Sequence, residues 1–277
     1  MKGVNLTSII ESIFGTSKPI IGMVHLLPLP GSPRYESTVG IDDIVKRALD
    51  DAIALEEGGV DGLLFSNESD APFLFKVGPE TVASVTYVVA RVIERVKLPF
   101  GVDILWDPYA TIAVAKAVNA KFVRAIMAGV YASDLGLINT EGASVMRYRK
   151  YIGADHVKVF IYLNPEFASS LSNRPLDVIA KTIKWLSLAD AYCVSGIMPG
   201  EPPRIEDIVK VRQAVRDIPI LANTGMNPDN IEKYLPIVDG AIVGTAFKKD
   251  SVTLNPVDKE RVKKFMEKVK RLRSEIE

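Results

Sequence analysis

Two glycine-containing segments carry the clearest chemical pattern in the sequence, NTGMNPDNI (223–231) and DGAIVGTAFKKD (239–250). In each, a glycine follows an apolar run and precedes the start of a helix pattern. Glycine lets backbone N–H groups approach an anion closely, and a helix N-terminus adds a favourable dipole, so this arrangement is typical of a phosphate site. The alternative is that the glycines only form tight turns. The residues predicted to hold the phosphate are Thr224, Gly225, Gly244 and Thr245.

A carboxylate and a guanidinium stand inside two consecutive apolar runs. Asp103 lies in FGVDILW (100–106) and Arg124 lies in KFVRAIM (121–127). A carboxylate in such a run is costly to bury unless it is paired, binds a metal or lines a cavity, so Arg124 is its expected partner. Two interpretations stay open. Either the pair is structural, or Asp103 acts as a general acid or base while Arg124 binds an anion.

Two further side chains are candidates for proton transfer, His25 and Glu201. His25 ends the first apolar run, where it could instead simply cap a loop. Glu201 lies in the proline-rich segment GIMPGEPPRIED, where it could act as a base, bind a sugar hydroxyl or remain solvated. Polar residues at the ends of other runs are predicted to orient the substrate or to help hold the phosphate. These are Asn67, Ser195 and Gly196.

The sequence gives little support for a metal or a covalent mechanism. Glu68 and Asp70, in SNESDAPF, could supply oxygen ligands for Mg²⁺, but no spacing motif supports a dedicated site. We therefore predict no metal ligands and keep Mg²⁺ only as an alternative cofactor. There is no GxSxG motif, P-loop or zinc motif. Cys193, the single cysteine, excludes an intramolecular disulfide and a cysteine-rich metal site and fits a reducing compartment.

The composition excludes several classes of protein. The 277 residues include 34 Lys and Arg against 34 Asp and Glu, so no net charge attracts nucleic acid or a membrane. The apolar runs are too short to span a bilayer, and the first 19 residues lack the unbroken apolar stretch of a secretory peptide. We therefore predict a soluble, cytoplasmic protein without nucleic-acid or membrane partners. A single glutamine among abundant Lys and Glu is a weak thermophile signature.

The candidate residues lie within a repeating pattern. Each repeat consists of an apolar run, a turn and an amphipathic helix pattern, and there are eight repeats. Strands are predicted over 19–27, 60–67, 100–106, 121–127, 156–164, 191–196, 219–225 and 239–247. Helices are predicted over 41–58, 80–97, 109–119, 141–152, 175–189, 205–216, 228–235 and 258–275. Eight such units predict a single-domain (β/α)8 TIM barrel of the α/β class. The competing doubly wound sheet usually has a glycine-rich loop after its first strand, and here that position holds MVHLLPLPGSP.

The barrel prediction also places the candidate site. Residues 1–18 lie outside this repeating pattern and are predicted to be an N-terminal extension whose short helix plugs the bottom of a barrel formed by residues 19–277. Ligands of parallel barrels bind at the carboxyl ends of the strands and in the loops that follow. The candidate side chains fall at these ends, so we expect them to meet at one mouth.

Several segments resemble the BtpA/SgcQ family. They are PIIGMVHLLPLPGSPRY (19–35), ALEEGGVDGLL (54–64), DAPF and KVGPETVA (70–83), MRYRKYIGAD (146–155), GEPPRIEDIVKVRQAV (200–215), and VDGAIVGTAFKKD with NPVD (238–258). The resemblance covers about residues 19–265 and implies a TIM barrel related to the ribulose-phosphate-binding superfamily. Members of the family are named for photosystem I biogenesis, or as candidate nucleoside triphosphatases or sugar-operon proteins. A photosystem role is not expected here, because nothing in the sequence suggests a thylakoid or pigment partner.

The sequence departs from the pattern of this family at several strand ends. The second strand ends in Ser66 followed by an amide, where the family has an acid–amide pair, and the third has Asp103 and Trp106 where the family has Asn and Arg. The fifth strand lacks the Lys-His pair of the family, and the seventh ends in Thr-Gly rather than Ser-Gly. Two explanations stay open. Either the substrate has changed and Asp103, Tyr162 and Glu201 serve it, or the chemistry is lost and a binding protein remains.

The predicted function is an enzyme that acts on a small phosphorylated metabolite, sugar- or nucleotide-like. Because no nucleophile–base pair is visible, proton transfer of the isomerase, epimerase or lyase type fits best. Self-association is expected by analogy with the fold. One alternative is a non-catalytic assembly or stability factor with a closed barrel mouth and a large exposed apolar patch. The other is a metal-dependent phosphohydrolase, which requires clustered carboxylates at Glu68, Asp70, Asp103 and Asp107.

Overall fold

The computed structural model describes residues 6–276 and shows a closed barrel of eight parallel strands. The strands, numbered with all others in chain order, follow one another around the barrel as β1 (Ile20–His25), β2 (Gly62–Ser66), β3 (Phe100–Asp103), β4 (Phe122–Ala125), β7 (Lys158–Asn164), β9 (Ala191–Val194), β10 (Ile220–Ala222) and β11 (Gly240–Val243). β11 pairs in parallel with β1 and closes the ring. The predicted (β/α)8 TIM barrel is confirmed.

Helices follow the barrel strands as the 3.6-residue periodicity predicts. They are α2 (Ile41–Gly58), α3 (Pro79–Ile93), α4 (Pro108–Ala117), α5 (Gly142–Tyr151), α6 (Leu176–Ser187), α7 (Ile205–Ala214), α8 (Ile231–Tyr234) and α9 (Lys259–Ile276), preceded by α1 (Leu6–Phe14). Short 3₁₀ turns, Glu68–Asp70, Thr245–Phe247 and Lys249–Ser251, follow β2 and β11. Across residues 6–276, no helix is both long enough and apolar enough to cross a membrane.

Alternation along the strands decides which side chains fill the barrel. One set of alternate residues, such as Phe65 and Val102, packs outward against the helices. The other set fills the lower barrel with an apolar cluster: Ile21, Met23, Leu64, Phe122, Phe160, Cys193, Leu221 and Ile242. Two residues further along, at the strand ends or just past them, seven of the eight inward positions carry polar side chains and the eighth is a glycine. They are His25, Ser66, Asp103, Arg124, Tyr162, Ser195, Asn223 and Gly244. The period of two therefore sets a polar layer on top of an apolar core.

The bottom of the barrel is covered by α1. Ile10 and Phe14 belong to the interior apolar cluster, and the Phe14 ring meets the Phe122 ring edge to face with centroids 5.5 Å apart. A Cβ on Gly62 would lie 2.6 Å from the Phe14 ring, so a glycine is needed where the helix approaches β2. The described part of α1 thus packs against the apolar interior of the barrel. Its residues 1–5 lie outside the described residues.

A small antiparallel sheet at the barrel top was not predicted. It consists of β5 (Val130–Ser133), β6 (Gly136–Asn139) and β8 (Ala168–Ser170), in the order β6-β5-β8. Its hairpin turn uses Gly136 at φ 109°, which only glycine adopts readily. Tyr131 and Ile138 turn one face of the sheet toward Trp106 and Tyr162. The sequence predicted a long loop here, because strands of three or four residues are too short to show a period of two.

The third barrel strand is shorter than the predicted range 100–106. β3 ends at Asp103, and the chain then leaves the barrel because side chains hold its next amides: Ile104 N–H donates to Thr111 Oγ1 (2.9 Å) and Leu105 N–H donates to Asn67 Oδ1 (2.8 Å). Residues 104–106 are therefore apolar because they pack at the mouth of the barrel, and not because they pair in a strand.

Candidate active site at the barrel mouth

A cavity of about 460 Å³ opens at the carboxyl ends of the barrel strands. Its lining has three parts. One part carries glycines, hydroxyls and a guanidinium: Thr224, Gly225, Gly244, Thr245, Ser251, Thr253 and Arg261. The part across the barrel is aromatic and apolar: Phe73, Leu105, Trp106, Tyr162 and Phe167. Between them lie the charged side chains Glu68, Arg124 and Glu166. The volume is within the range of about 300–1,000 Å³ that is typical of ligand sites.

Arg124 is held at the cavity floor by two hydrogen bonds. Its Nε donates to Asp103 Oδ2 (2.7 Å), and its Nη1 donates to Asn223 Oδ1 (2.8 Å). The Tyr162 hydroxyl donates to the same Asp103 oxygen (3.1 Å), and the guanidinium carbon lies 4.9 Å from the centre of the Tyr162 ring. The expected Asp103–Arg124 pair is therefore present. It fixes the guanidinium beneath the cavity, with Asp103 behind it.

Asn223 connects this pair to a second carboxylate. Its Nδ2 donates to Glu166 Oε1 (3.0 Å) and to Ser195 Oγ (2.8 Å) while its Oδ1 accepts from Arg124. Neither Asn223 nor Glu166 was among the site residues predicted from the sequence. The position of Asn223 at the end of β10 was a usable signal, whereas Glu166 follows β7 in a loop whose path the sequence does not reveal.

Glu68 is the carboxyl group best placed to exchange a proton near neutral pH. Burial raises its pKa from 4.5 to about 7; Arg124 opposes this rise, and the neighbouring carboxylates Glu166 and Asp103 add to it. Burial also raises the pKa values of Asp103 and Glu166, and the positive charge of Arg124 again opposes the rise. One guanidinium thus faces three carboxyl groups, which cannot all ionise cheaply. From the sequence, Glu68 was considered only as a ligand for Mg²⁺.

His25 is held as a neutral imidazole. Its Nδ1 lies 3.1 Å from the carbonyl oxygen of Thr253, which can only accept, so Nδ1 carries the proton. Burial is the main cause of a pKa well below the usual value of 6.5, and the charges of Lys248 and Arg124 lower it further. A Cβ on Gly244 would lie 3.5 Å from Nε2. His25 therefore offers Nε2 to the cavity as an acceptor or weak base.

Two of the predicted phosphate-binding glycines serve backbone packing. A Cβ on Gly196 would lie 2.2 Å from the carbonyl oxygen of Glu201, and one on Gly225 would lie 2.2 Å from the nitrogen of Pro202. Gly225 also has φ 67°. The Gly196 N–H donates to Thr224 Oγ1 (2.7 Å), so it is not free for an anion. The glycines let the GEPP segment lie directly on the ends of β9 and β10.

The structure brings only part of the predicted set to the cavity. The predicted residues that line it are His25, Arg124, Thr224, Gly225, Gly244 and Thr245. Glu201 is exposed outside the lining, and buried Ser195 supports Asn223. Asn67 is occupied within the protein, because its Oδ1 accepts from Leu105 N–H and its Nδ2 donates to Asp70 Oδ2 (3.2 Å). A substrate-orienting role for Asn67 is therefore not supported by its contacts.

Arg261 supplies the cation at the glycine end. It lies in the first turn of α9, where its Nε donates to the carbonyl oxygen of Ala246 (3.0 Å) and its Nη2 donates to the Ser251 hydroxyl. The Thr245 and Thr253 hydroxyls lie 2.9 Å apart in the same part of the lining. Arg261 was not predicted from the sequence, because it is one of many basic residues in the helix predicted over 258–275.

The carboxylates required for the phosphohydrolase alternative are not clustered. Asp70 accepts from Leu29 N–H (2.8 Å), and Asp107 caps α4 by accepting from Tyr109 and Ala110 N–H. Asp103 is paired with Arg124. Over the described part of the chain, no group of three or more His, Cys, Asp or Glu side chains is arranged to hold a metal ion. The phosphohydrolase alternative therefore lacks, among the described residues, the cluster of carboxylates that it requires.

Comparisons with known proteins agree with this architecture. A model of the BtpA family matches residues 16–271. The chain is 41% identical over 264 residues to the SgcQ protein of the sgc region of Escherichia coli (strain K12), which covers 95% of this chain and 98% of SgcQ. It is 34% identical over 257 residues to the photosystem I biogenesis protein BtpA of Synechocystis sp. (strain ATCC 27184 / PCC 6803 / Kazusa), covering 92% of this chain and 88% of that protein.

Solved structures show the same barrel at low sequence identity. (S)-3-O-geranylgeranylglyceryl phosphate synthase from Thermoplasma acidophilum, in complex with its substrate sn-glycerol-1-phosphate, superposes with a TM-score of 0.60. The match covers 97% of this chain and 99% of that one at 11% identity. At this identity the likeness establishes the fold alone.

Proposed function

The chain belongs to the BtpA family, and from the mouth of its barrel we propose that it is an enzyme that binds a small phosphorylated metabolite and transfers a proton on it. The reaction is of the isomerase, epimerase or lyase type. One observation carries the proposal: a single cavity joins an end lined by Arg261, glycines and hydroxyl groups, with Asp229 at its edge, to a carboxyl group with a pKa of about 7.

The phosphate is assigned to the glycine end. Arg261 provides the charge, and Gly244 leaves space beside β11. The Thr245 and Thr253 hydroxyls share one hydrogen bond, so the hydroxyl that accepts in it can donate its own proton to the phosphate. The barrel of the Thermoplasma synthase is in complex with a phosphate ester, sn-glycerol-1-phosphate, which supports phosphate binding by a barrel of this type. The loops after the last two barrel strands are the usual place for it.

Proton transfer is assigned first to Glu68. A group with a pKa near the working pH both releases and accepts a proton readily, which is the requirement for general acid–base catalysis. Asp103 was the first choice from the sequence, but its carboxylate already accepts from Arg124 and Tyr162. His25, neutral and with Nε2 free of the Thr253 contact, is the second candidate base. Arg124 would stabilise negative charge that develops between them.

The non-catalytic alternative fits the geometry less well. It requires a closed mouth, and the mouth holds an open cavity of about 460 Å³. Exposed apolar side chains do occur where α5 and α6 end, at Tyr151, Trp185, Leu186 and Leu188. These side chains lie on the outer helices and not in the cavity. They could form a contact between copies of this chain, so self-association stays a proposal.

Calorimetric titration with inorganic phosphate tests the binding half of the proposal. Arg261→Gln should weaken phosphate binding about tenfold, because a charge-assisted hydrogen bond is lost. Arg271→Gln, an exposed arginine on the same helix, is the matched control and should bind as the wild type does. Absence of phosphate binding, or equal affinities of the two variants, would contradict the assignment.

Deuterium exchange tests the chemical half. Ribulose 5-phosphate incubated with the protein in D₂O should exchange a hydrogen next to its carbonyl, and NMR detects the loss of that signal. Glu68→Gln should slow the exchange by at least about a hundredfold, the usual contribution of a general base. Exchange that continues unchanged in this variant would remove Glu68 from the reaction.

A further inference from the structure

The side of the cavity across the barrel from the glycine end is lined by four aromatic rings, of which Phe73 and Phe167 are partly exposed and Trp106 and Tyr162 are buried. Phe73 and Trp106 meet edge to face with ring centroids 6.1 Å apart, and Trp106 and Tyr162 do so at 5.7 Å. Phe167 also lines this side. Phe73, Trp106 and Phe167 follow β2, β3 and β7, and Tyr162 lies within β7. The glycines follow β10 and β11 on the opposite arc of the ring of strands. We call this surface, Phe73, Trp106, Tyr162 and Phe167, the aromatic wall.

The aromatic wall is held in place from behind. Tyr131 and Ile138 of the small sheet pack in one apolar cluster with Trp106 and Tyr162, and the Tyr131 hydroxyl donates to the carbonyl oxygen of Ala128 (2.9 Å). A wall braced in this way loses little side-chain freedom when a ligand binds.

Phe167 adds backbone strain to this picture. Its φ is 56°, in the left-handed region that a bulky residue rarely adopts. The conformation is fixed because Phe167 N–H donates to the carbonyl oxygen of Ile197 (3.2 Å) and its own carbonyl accepts from Asp134 N–H (3.0 Å). Strain of this kind is concentrated at ligand sites, and here it places a ring on the cavity.

The chemistry of the wall discriminates between classes of phosphorylated compound. Sugar hydroxyls need hydrogen-bond partners, and rings provide none. A flat ring suits such a surface, because aromatic side chains stack on any π-face.

We infer that the substrate carries a flat aromatic or heteroaromatic ring in addition to its phosphate, and that this ring stacks on the aromatic wall. The inference rests on the proposed function, since the phosphate at Arg261 sets which part of the ligand reaches the wall. A compound of this shape spans the cavity from Gly244 to Trp106 and passes over Arg124 and Glu68.

A matched set of five probes tests the inference by calorimetric titration. They are ribose 5-phosphate and the nucleoside 5′-monophosphates AMP, GMP, CMP and UMP, in which a base replaces the hydroxyl on the first sugar carbon. At least one nucleotide should bind tenfold or more tightly than ribose 5-phosphate, as stacking of one base on an aromatic side chain allows. Equal affinities would overturn the inference and leave the phosphate site intact. If neither these probes nor inorganic phosphate binds, the inference and the proposed function fail together.

Two variants in one loop locate the ring. Phe73 is partly buried and lines the cavity, whereas Phe75 is exposed and does not. Phe73→Ala should reduce the preference for the nucleotide at least fivefold while ribose 5-phosphate binds unchanged, and Phe75→Ala should alter neither affinity. An unchanged preference in Phe73→Ala, with Phe75→Ala as the folded control, would overturn the assignment of the wall.

Discussion

Replacing Glu68 by glutamine should change how the stability of the protein depends on pH. Burial raises the pKa of Glu68 from 4.5 to about 7, so the charged form is disfavoured in the folded state. At ~1.4 kcal/mol per pKa unit this difference corresponds to about 3 kcal/mol. The side chain is partly exposed to the cavity, and solvent there reduces the effect, so we expect about 2 kcal/mol.

The sign of the effect follows from proton linkage. Because the pKa is raised on folding, the stability that protonated Glu68 provides is complete below pH 4.5 and is lost as the pH rises through about 7. The glutamine of the variant cannot ionise, so the variant keeps this stability at every pH. The free energy of unfolding of Glu68→Gln should therefore exceed that of the wild type by an amount that grows over this window and is constant above pH ~8.

Urea unfolding between pH 5 and pH 9 measures this difference. Glu201→Gln makes the same chemical change at an exposed glutamate and should give a curve parallel to that of the wild type. In thermal unfolding at high pH, the midpoint temperature of Glu68→Gln should exceed that of the wild type by about 4 °C. Parallel curves for Glu68→Gln and the wild type would refute the argument that burial raises this pKa, and with it the choice of Glu68 as the proton-transfer group.

Two further predictions concern the supports of the cavity. Lys248 is fully buried against its carboxylate partner on α2, Asp51, so Lys248→Met should lower the free energy of unfolding by about 3 kcal/mol. Lys150→Met removes an exposed ion pair and should change the free energy of unfolding by less than about 1 kcal/mol. Urea unfolding measures both values, and equal effects of the two variants would contradict the prediction. Gly225→Ala should lower the free energy of unfolding by at least ~1 kcal/mol more than Gly15→Ala does. Both glycines have positive φ, but only at Gly225 would the added Cβ meet neighbouring backbone. Similar losses of stability in the two variants would show that the packed GEPP segment moves away from the new methyl group.

The barrel and its charged pair could be predicted because both depend on local patterns. Apolar runs at regular spacing indicate strands, and a charge inside such a run, as at Asp103, indicates a partner or a cavity. The small sheet could not be predicted, because β5 pairs with residues 168–170, which arrive from a separate loop. Glu201 was selected for its carboxylate, but only the backbone of its segment reaches the site.

The remaining site residues depend on how loops pack and not on any motif. Arg261 reaches the cavity because α9 begins beside Ala246 and Ser251, and nothing in its sequence neighbourhood separates it from other basic residues of the helix. Glu68 becomes a proton-transfer group only because of its burial near Arg124. Sequence type identifies which groups can ionise, whereas their pKa values come from the completed fold.

Three of the positions that depart from the family pattern, Asp103, Trp106 and Tyr162, are in contact with one another, which bears on the choice between a changed substrate and lost chemistry. Trp106 meets Tyr162 with ring centroids 5.7 Å apart, and the Tyr162 hydroxyl donates to Asp103 (3.1 Å). The glycine end, where only the Thr-Gly of the seventh strand departs from the pattern, lies across the barrel. Asp103 remains paired with Arg124 although its neighbours are replaced, and the rings of Trp106 and Tyr162 pack together. These contacts are compatible with a site rebuilt on one side for a different ligand.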